Sequence, residues 1–168
     1  GEDIAYTMNI SFLDAANGGE QKVFIGNKTV NVKIPSGSRD GQTLRLKGLG
    51  QPSPNGGPSG DVLITLKVAP HPYFKMEDNN ILLDLPISLK EAVLGAKVTV
   101  PTISGKVNVK IPPYSDSGEK LRLKGKGLKS GSGVGDEIIT LKVITSSTKN
   151  AELEKVLASV NDVSVRNF

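Results

Sequence analysis

Cysteine and tryptophan are absent from this chain of 168 residues, and histidine occurs once, at His71. Without cysteine there can be no disulfide, no cysteine-ligated zinc site and no thiolate nucleophile. A Ser/His/Asp triad would have to use His71, and a lone histidine between two prolines is more often structural. No apolar run is long enough to span a bilayer, and no signal-peptide pattern starts at Gly1. These absences disfavour most enzyme classes and a membrane location, and the expected compartment is the cytoplasm.

A duplication dominates what the sequence does contain. Residues 30–50 return as residues 107–127, a shift of 77 positions with 14 identities in 21 and no gap. Flanking matches, such as Asp61 with Asp136 after a two-residue contraction, extend the repeat over nearly the whole chain. A unit of about 75 residues is near the lower size at which a domain stands alone. The repeat therefore predicts two related domains.

Short strands separated by turns are predicted in each copy, because apolar and polar residues alternate and 19 glycines and 10 prolines interrupt them. In the first copy the predicted strands are 5–12, 22–25, 29–34, 44–47 and 62–68, with a single helical turn at 13–16. The equivalent helical turn of the second copy is predicted at 89–94. The expected fold class is mainly β, with two tandem homologous β-sandwich or barrel-like domains plus a C-terminal amphipathic helix. The predicted boundaries are 1–69 for the first domain, 70–80 for a joint, 81–145 for the second domain and 146–168 for the C-terminal helix and tail.

The C-terminal segment has the pattern of a helix from Ala151 to Val160, with its cap expected within residues 146–149. Four apolar residues recur at i, i+3, i+4 and i+7 and form a stripe along one face. They are Leu153, Val156, Leu157 and Val160. Nothing inside the two copies matches this helix, so it is predicted to be a separate element.

Candidate catalytic motifs are nearly absent. The glycine pairs in 48–50 and 125–127 lack the third glycine of a dinucleotide-binding loop and the Gly-Lys-Ser/Thr of a P-loop, so tight turns are predicted there. Asp61 and Asp136 begin equivalent strands and are predicted to cap turns. No catalytic residue, metal site or cofactor is therefore predicted, and a hydrolase that uses His71 is the third and weakest hypothesis.

Basic residues give the chain a formal net charge of +4 and a pI near 9.2. Eight of them alternate with apolar positions in the predicted strands: Lys33, Arg45, Lys47, Lys67, Lys110, Arg122, Lys124 and Lys142. One interpretation is a basic face that contacts phosphates of a nucleic acid. The solvated side of an amphipathic sheet explains the same alternation and is the favoured interpretation.

The apolar residues of the first copy allow two interpretations. Tyr6 and Met8 stand where the second copy has Leu83 and Leu85. Tyrosine and methionine in place of leucine suggest an adaptable, partly open surface. A small core filled by whichever side chains fit explains them equally well, and the sequence leaves both interpretations open.

A set of motifs in this order resembles the C-terminal, substrate-binding region of J-domain co-chaperones, the DnaJ family. The motifs of the first copy and the joint are Val32-Lys33-Ile34-Pro35, Gly41, residues 44–50, Gly60-Asp61 and His71-Pro72-Tyr73-Phe74. Those of the second copy are residues 92–95, 98–102 and 125–128. The resemblance runs from about Glu2 to the end of the chain.

The chain departs from the family pattern at three places. One class of the family inserts a zinc module of four Cys-x-x-Cys-x-Gly-x-Gly repeats into the first copy, whereas residues 23–30 here run on without interruption. The chain is therefore similar to the zinc-free class and to its bacterial curved-DNA-binding members. The His-Pro-Asp tripeptide of the J domain is not in this sequence, since His71-Pro72 is followed by Tyr73. Residues 76, 78 and 80 are Met, Asp and Asn, where the family usually has Arg, Gly and Asp.

The resemblance implies a non-enzymatic binding module without a cofactor. In this family client peptides add as an extra strand in a shallow apolar groove of the first copy. Carried over to this chain, the groove residues are Tyr6, Met8, Val23, Ile25 and Phe74. The apolar stripe of the C-terminal helix corresponds to the family's dimerisation element, so a homodimer is expected. The other expected partners are unfolded client polypeptides and a DnaK-type chaperone, which the family contacts largely through the J domain. DNA binding through the basic strand faces is the alternative function.

Overall fold

Strands make up 45% of the computed structural model and helices 12%, so the chain, described over residues 1–168, is mainly β as predicted. The first domain contains β1 (Ile4–Ile10), α1 (Phe12–Asn17), β2 (Gly19–Ile25), β3 (Lys28–Ile34), β4 (Thr43–Leu46) and β5 (Val62–Val68). The second contains β6 (Phe74–Glu77), β7 (Asn80–Ser88), α2 (Leu89–Leu94), β8 (Ala96–Thr102), β9 (Gly105–Ile111), β10 (Lys120–Leu123), β11 (Lys129–Ser130), β12 (Gly133–Val134) and β13 (Glu137–Ile144). The last helix is α3 (Ala151–Ser159).

In the first domain a three-stranded sheet and a hairpin enclose a small core. The central strand β5 pairs in parallel with β1 and antiparallel with β4, while β2 and β3 pair with each other. Successive residues of a strand point to opposite faces. In β5, Val62, Ile64 and Leu66 are therefore buried, whereas Thr65 and Lys67 face solvent. The alternation of apolar and polar residues in the sequence therefore corresponds to the alternation of buried and exposed side chains in the strand.

The second domain repeats this arrangement, so the predicted duplication is a structural one. Its main sheet has the order β10-β13-β7-β6, and β8 and β9 form the hairpin. The hairpin strand β8 starts 77 residues after β2, as the sequence repeat requires. No sheet closes on itself, so each domain is a sandwich of sheet and hairpin and not a barrel.

The structure differs from the sequence-based prediction at two helix starts. Phe12 belongs to α1 and not to the preceding strand, because the Ser11 hydroxyl accepts the N–H of Asp14 at 3.0 Å and caps the helix. The cap of α3 is Asn150 and not a residue of 146–149. Its Oδ1 accepts the N–H of Leu153 at 3.0 Å. The longest helix has nine residues, and none combines the length and apolar character that a membrane crossing requires.

Helix α1 contacts the second domain directly. The Asn17 side-chain N–H donates to the carbonyl of Ile103 at 2.7 Å. Phe12 and Ala16 are buried in the core cluster of the second domain. The stretch predicted as a joint also contributes to that domain, since Phe74–Glu77 forms β6 and pairs with β7. The two domains therefore meet through side chains as well as through the linking chain.

Candidate functional site

Both strands of the first-domain hairpin have one unpaired edge, because β2 and β3 pair only with each other. β2 pairs with β3 alone along its seven residues. An unpaired edge presents backbone N–H and C=O groups to which another extended chain can bond. Phe24 projects from this strand with 67% of its surface exposed, while Val23 and Ile25 turn to the opposite face. β2 therefore combines an open edge with an exposed aromatic side chain.

Four of the five predicted peptide-binding residues lie in or against the core of the first domain. Met8 and Ile25 are buried members of that cluster. Tyr6 on β1 and Val23 on β2 are half-buried and pack against it from the rim. The structure thus has both features that the sequence left open: a small core that includes Met8 and Ile25, and partly exposed apolar side chains at its rim, Tyr6 and Val23.

Phe74 lies apart from those four residues. It is 3% exposed and belongs to the core cluster of the second domain. Its ring is stacked with that of Phe12, with 6.2 Å between centroids, and lies 4.7 Å from the ring of His71. The contacts of Phe74 are therefore those of the domain junction.

Phe24 is the exposed apolar residue that the sequence analysis did not select. The signal was present, because in the run Lys22 to Ile25 the alternation that buries Ile25 must turn Phe24 outward. The predicted groove residues of β2, Val23 and Ile25, lie on its inward face, whereas Phe24 lies on the outward face. An aromatic side chain on the outward face of an edge strand presents apolar surface to solvent.

The equivalent edge of the second domain carries a proline. β8 also pairs with one strand only, β9, and Pro101 stands opposite Lys106 as Phe24 stands opposite Thr29. Proline has no N–H and is tolerated in a sheet where its nitrogen faces away from the ladder. Pro101 therefore removes a donor from the open edge of β8, and the N–H of Phe24 supplies that donor on the open edge of β2.

The two carboxylates predicted to cap turns do so. Asp61 accepts the N–H of Gly48 at 2.9 Å and pairs with Arg45 at 2.5 Å. The hydrogen bond from Gly48, and then that from Arg45, holds the pKa of Asp61 below its ordinary value. The second domain repeats these contacts, with the same effect on the carboxylate pKa, in Gly125, Arg122 and Asp136. These groups stabilise turns, as predicted.

His71 has a structural role at the junction. Its Nδ1 accepts the N–H groups of Tyr73 and Phe74, each at 3.3 Å. The ring also lies 5.5 Å from that of Phe12. This nitrogen is engaged by the backbone, which is the structural function expected of a histidine between prolines.

Basic side chains cover the solvent side of the strands. The eight predicted from the alternation are all exposed: Lys33, Arg45, Lys47, Lys67, Lys110, Arg122, Lys124 and Lys142. Arg45 and Arg122 pair with the turn carboxylates Asp61 and Asp136, which takes up part of their charge. The others keep their charge in solvent, where it is available to an anionic surface.

The apolar stripe of α3 is uncovered within one chain. Leu153, Val156 and Leu157 are exposed, and Val160 follows the last turn as the C-cap. Leu153, Val156 and Leu157 line an open apolar concavity of about 560 Å³ that α3 forms with α2. From α2 it is lined by Leu89, Val93 and Leu94. The dimerisation role of the stripe stays a prediction.

Comparison with known proteins relates this geometry to a family. The family model for the DnaJ C terminal domain matches residues 4–146. The chain belongs to the DnaJ C-terminal domain family. The "Curved DNA-binding protein" of Pseudomonas putida (strain GB-1) is 41% identical over 163 residues, which are 96% of this chain and 51% of that protein. The protein of the same name in Escherichia coli (strain K12 / DH10B) is 49% identical over 117 residues, which are 70% of this chain and 38% of that protein. The chain spans about half the length, or less, of these curated relatives.

As a DnaJ C-terminal domain, the chain has the uninterrupted hairpin expected from its sequence. β2 and β3 are joined by Gly26 and Asn27 alone. Asp78, one of the three residues of the joint that depart from the family pattern, adopts the left-handed conformation with φ of 51°, which aspartate tolerates better than most residues. Family membership points to a co-chaperone and not to a known enzyme family.

Proposed function

We propose that this chain is the client-binding part of a DnaJ-type co-chaperone, which captures unfolded polypeptides in the cytoplasm and delivers them to a DnaK-type chaperone. The observation that supports this most directly is the open edge of β2, with its exposed Phe24. An unfolded client would add to this edge as an antiparallel or parallel strand. Delivery to DnaK would depend on a J domain, and this sequence does not contain the His-Pro-Asp tripeptide of that domain.

Strand addition suits a protein that must bind many sequences. The hydrogen bonds come from the backbone, which every client shares, so affinity does not require one particular sequence. Alternate side chains of the added strand would contact Phe24 on one face and the half-buried Tyr6 and Val23 on the other. Apolar residues of this kind are exposed in unfolded chains and buried in folded ones, so this edge would favour unfolded chains.

The proposed groove keeps the five predicted residues but gives them different roles. Tyr6 and Val23 would contact the client, and Met8 and Ile25 would support them from the core. Phe74 would act at a distance by holding α1 against the second domain through its contact with Phe12. Substitution of Phe74 is therefore expected to reduce stability more than affinity for a peptide.

The second domain offers the natural test of this proposal. Phe24→Pro gives β2 the residue that β8 has at the same register position. It removes one N–H donor from the open edge of β2, and the equivalent strand β8 shows that this position accommodates proline. Affinity for a fluorescent peptide of alternating leucine and serine should fall about tenfold or more, because one hydrogen bond and the contact with the phenyl ring are both lost. Circular dichroism and thermal unfolding would establish that the variant is folded.

Two matched variants separate the contribution of the backbone N–H at the strand edge from that of the phenyl ring of Phe24. Phe24→Ala removes the ring but keeps the N–H, so it should weaken peptide binding less than Phe24→Pro does. Pro101→Phe restores a donor to β8 and should create weak binding at the second domain. Equal losses in Phe24→Ala and Phe24→Pro would count against strand addition, and unchanged binding in both would remove β2 as the site.

The same proposal includes a homodimer formed through α3. Its apolar stripe and the adjoining face of α2 are open in one chain, and a second copy would cover them. Two weak client sites on one dimer would gain from effective concentration without any tight site.

DNA binding is the second candidate function, and the exposed basic strand faces favour it. The two relatives described above carry the name "Curved DNA-binding protein". Salt separates the two functions, because binding through phosphates weakens steeply as salt rises whereas apolar peptide capture does not. The peptide and a DNA duplex should therefore each be titrated at low and high salt.

A further inference from the structure

A polar cavity lies where the two domains meet. It has a volume of about 170 Å³ and is lined by both domains. The first domain contributes the end of α1 and the residue after β3, at Ala16, Asn17 and Ser36. The second contributes Ile103, Ser104, Gly125, Lys126, Gly127 and Lys129. A single water molecule needs roughly 10–15 Å³ of accessible cavity volume, so this cavity is large enough for a small polyatomic ion.

The charge of this cavity is positive and uncompensated. Two of its residues, Lys126 and Lys129, are lysines, and no aspartate or glutamate lines it. Neither lysine forms an ion pair within 4 Å, although Lys126 is half-buried. Asp136, which follows this segment in the chain, is engaged by Arg122 and by the N–H of Gly125. An anion in the cavity would therefore meet two cations that have no internal partner.

Neutral donors lie around the two lysines. Asn17 uses one of its two side-chain N–H groups to bond the Ile103 carbonyl, which leaves the other free. The Ser36 hydroxyl bonds the carbonyl of Ala16 at 3.2 Å, and the Ser104 hydroxyl lies 3.4 Å from that of Thr102. Hydroxyl groups rotate, so both can turn to an incoming oxygen. Several donors around two ammonium groups suit an anion with several oxygens.

The internal repeat shows that this cation is particular to the junction. Lys126 stands in the turn of the second domain where the first domain has Leu49, and the flanking glycines are the same in both. Leu49 is 43% exposed and its turn does not line the cavity, whereas the turn with lysine does.

We infer that the cavity between the two domains binds a phosphate group, held by Lys126 and Lys129 with Asn17, Ser36 and Ser104. The phosphate comes from a nucleic-acid backbone or from a free phosphate or nucleotide. A ligand that touches both domains binds only their docked arrangement and stabilises it by mass action. This site is independent of the proposed client site on β2.

The test compares two double variants that remove the same charge. Lys126→Gln/Lys129→Gln neutralises the cavity, and Lys75→Gln/Lys120→Gln neutralises an exposed pair on β6 and β10 that lies outside both the cavity and the eight basic residues proposed to contact DNA. Inorganic phosphate should raise the unfolding temperature of the wild type saturably, relative to chloride at equal ionic strength. The cavity variant should lose this response and the control should keep it. No saturable response in the wild type, or the same loss in both variants, would overturn the site.

A DNA duplex distinguishes the two sources of phosphate. If the site takes a backbone phosphate, the cavity variant should bind the duplex about tenfold more weakly, with its salt slope reduced by about 1. The control should lose less affinity. If DNA binding is unchanged while the phosphate response is lost, the ligand is a free phosphate or nucleotide. Capture of the leucine–serine peptide should be normal in the cavity variant, so this result and the test of β2 are read separately.

Discussion

The two domains share one backbone plan but differ where each meets something else. In the first domain Phe12, Ala16 and Asn17 of α1 are turned into the second domain. At the same positions of α2 the second domain has Leu89, Val93 and Leu94, and Leu94 is 66% exposed. The same helix face is thus an interdomain contact in one copy and an open apolar surface beside α3 in the other. Both domains therefore have this apolar helix face, but within one chain only the face of α1 is covered by a neighbouring domain.

A turn next to this face shows the same division. Gly37 has φ of 77°, and a Cβ on it would lie 3.1 Å from the carbonyl oxygen of Lys129 across the domain junction. Tyr114, 77 residues on, has φ of 59° and is 83% exposed. A side chain is tolerated at this turn only in the copy that has no neighbour against it.

The cores differ at one position with a chemical consequence. Val62 begins β5 in the first core, and Glu137 occupies the same place in β13. Glu137 is fully buried, and neither of its carboxylate oxygens has a hydrogen-bond partner. Across the ladder it faces Leu123 on one side and Ile81 on the other. Burial among apolar neighbours raises the pKa of Glu137 to about 7.

The largest effect is expected on dimerisation, at the open apolar surface that α2 forms with α3. Leu153→Asp/Leu157→Asp places two charges in the proposed dimer interface, and burying an unpaired charge costs several kcal/mol. Association should weaken by about a hundredfold or more, and light scattering should show a monomer. Lys155→Asp, on the opposite face of α3, is the control and should leave the dimer intact. A dimer that survives the double change would show that α3 is not the interface.

The difference between the two cores predicts a pH effect of similar size. Glu137 is neutral in the folded state below about pH 7, whereas its ordinary pKa is 4.5. Folding therefore binds a proton between these values, so the contribution of Glu137 to stability is largest below pH 4.5, falls as pH rises and levels off above about 7. The pKa difference corresponds to about 3 kcal/mol at neutral pH. Denaturant unfolding of wild type and Glu137→Val across pH 4.5 to 8 measures it.

Two further variants sharpen that comparison between the cores. Glu137→Gln keeps the shape and cannot ionise, so it should lack the pH dependence without gaining all the stability of Glu137→Val. Val62→Glu should transfer the pH dependence to the first domain. If the difference between wild type and Glu137→Val is constant over this range, the carboxylate does not titrate there.

The smallest effect is expected at the paired turns. Gly37→Ala adds a Cβ in the left-handed region beside the Lys129 carbonyl and should cost about 1–2 kcal/mol of stability. Tyr114→Ala keeps a side chain in a turn that already accepts one and should change stability by less than about 0.5 kcal/mol, as at an exposed surface position. Thermal unfolding of the two variants checks this. Equal costs would mean that the docked second domain imposes no extra constraint at Gly37.

Much of the fold was predictable because its determinants are local or repeated. Alternating residues predicted the strands, and the repeat predicted that β8 is the counterpart of β2. Asp61 was assigned to a turn because a carboxylate at a strand start can bond nearby N–H groups. The start of α1 was misplaced because the capping bond of Ser11 competes with the apolar pattern that extends the strand to Phe12.

The candidate site was less predictable. Tyr6 and Val23 were placed on the correct domain, but their burial depends on how closely the hairpin approaches the sheet. Phe74 was grouped with them by resemblance, while its ring lies in the second core. Phe24 was overlooked because an outward-facing residue matters only once the strand is known to be at an edge.

The sequence by itself determined that there are two copies, that each is built of short strands, and which side of each strand is apolar. It did so because side-chain alternation, turn residues and repetition act over a few positions of the chain. Only the tertiary structure decided that β2 has an open edge, that Glu137 lies without a partner in a core, and that Lys126 faces a cavity between domains. These properties depend on which distant segments come to lie beside each residue, and no local pattern encodes that.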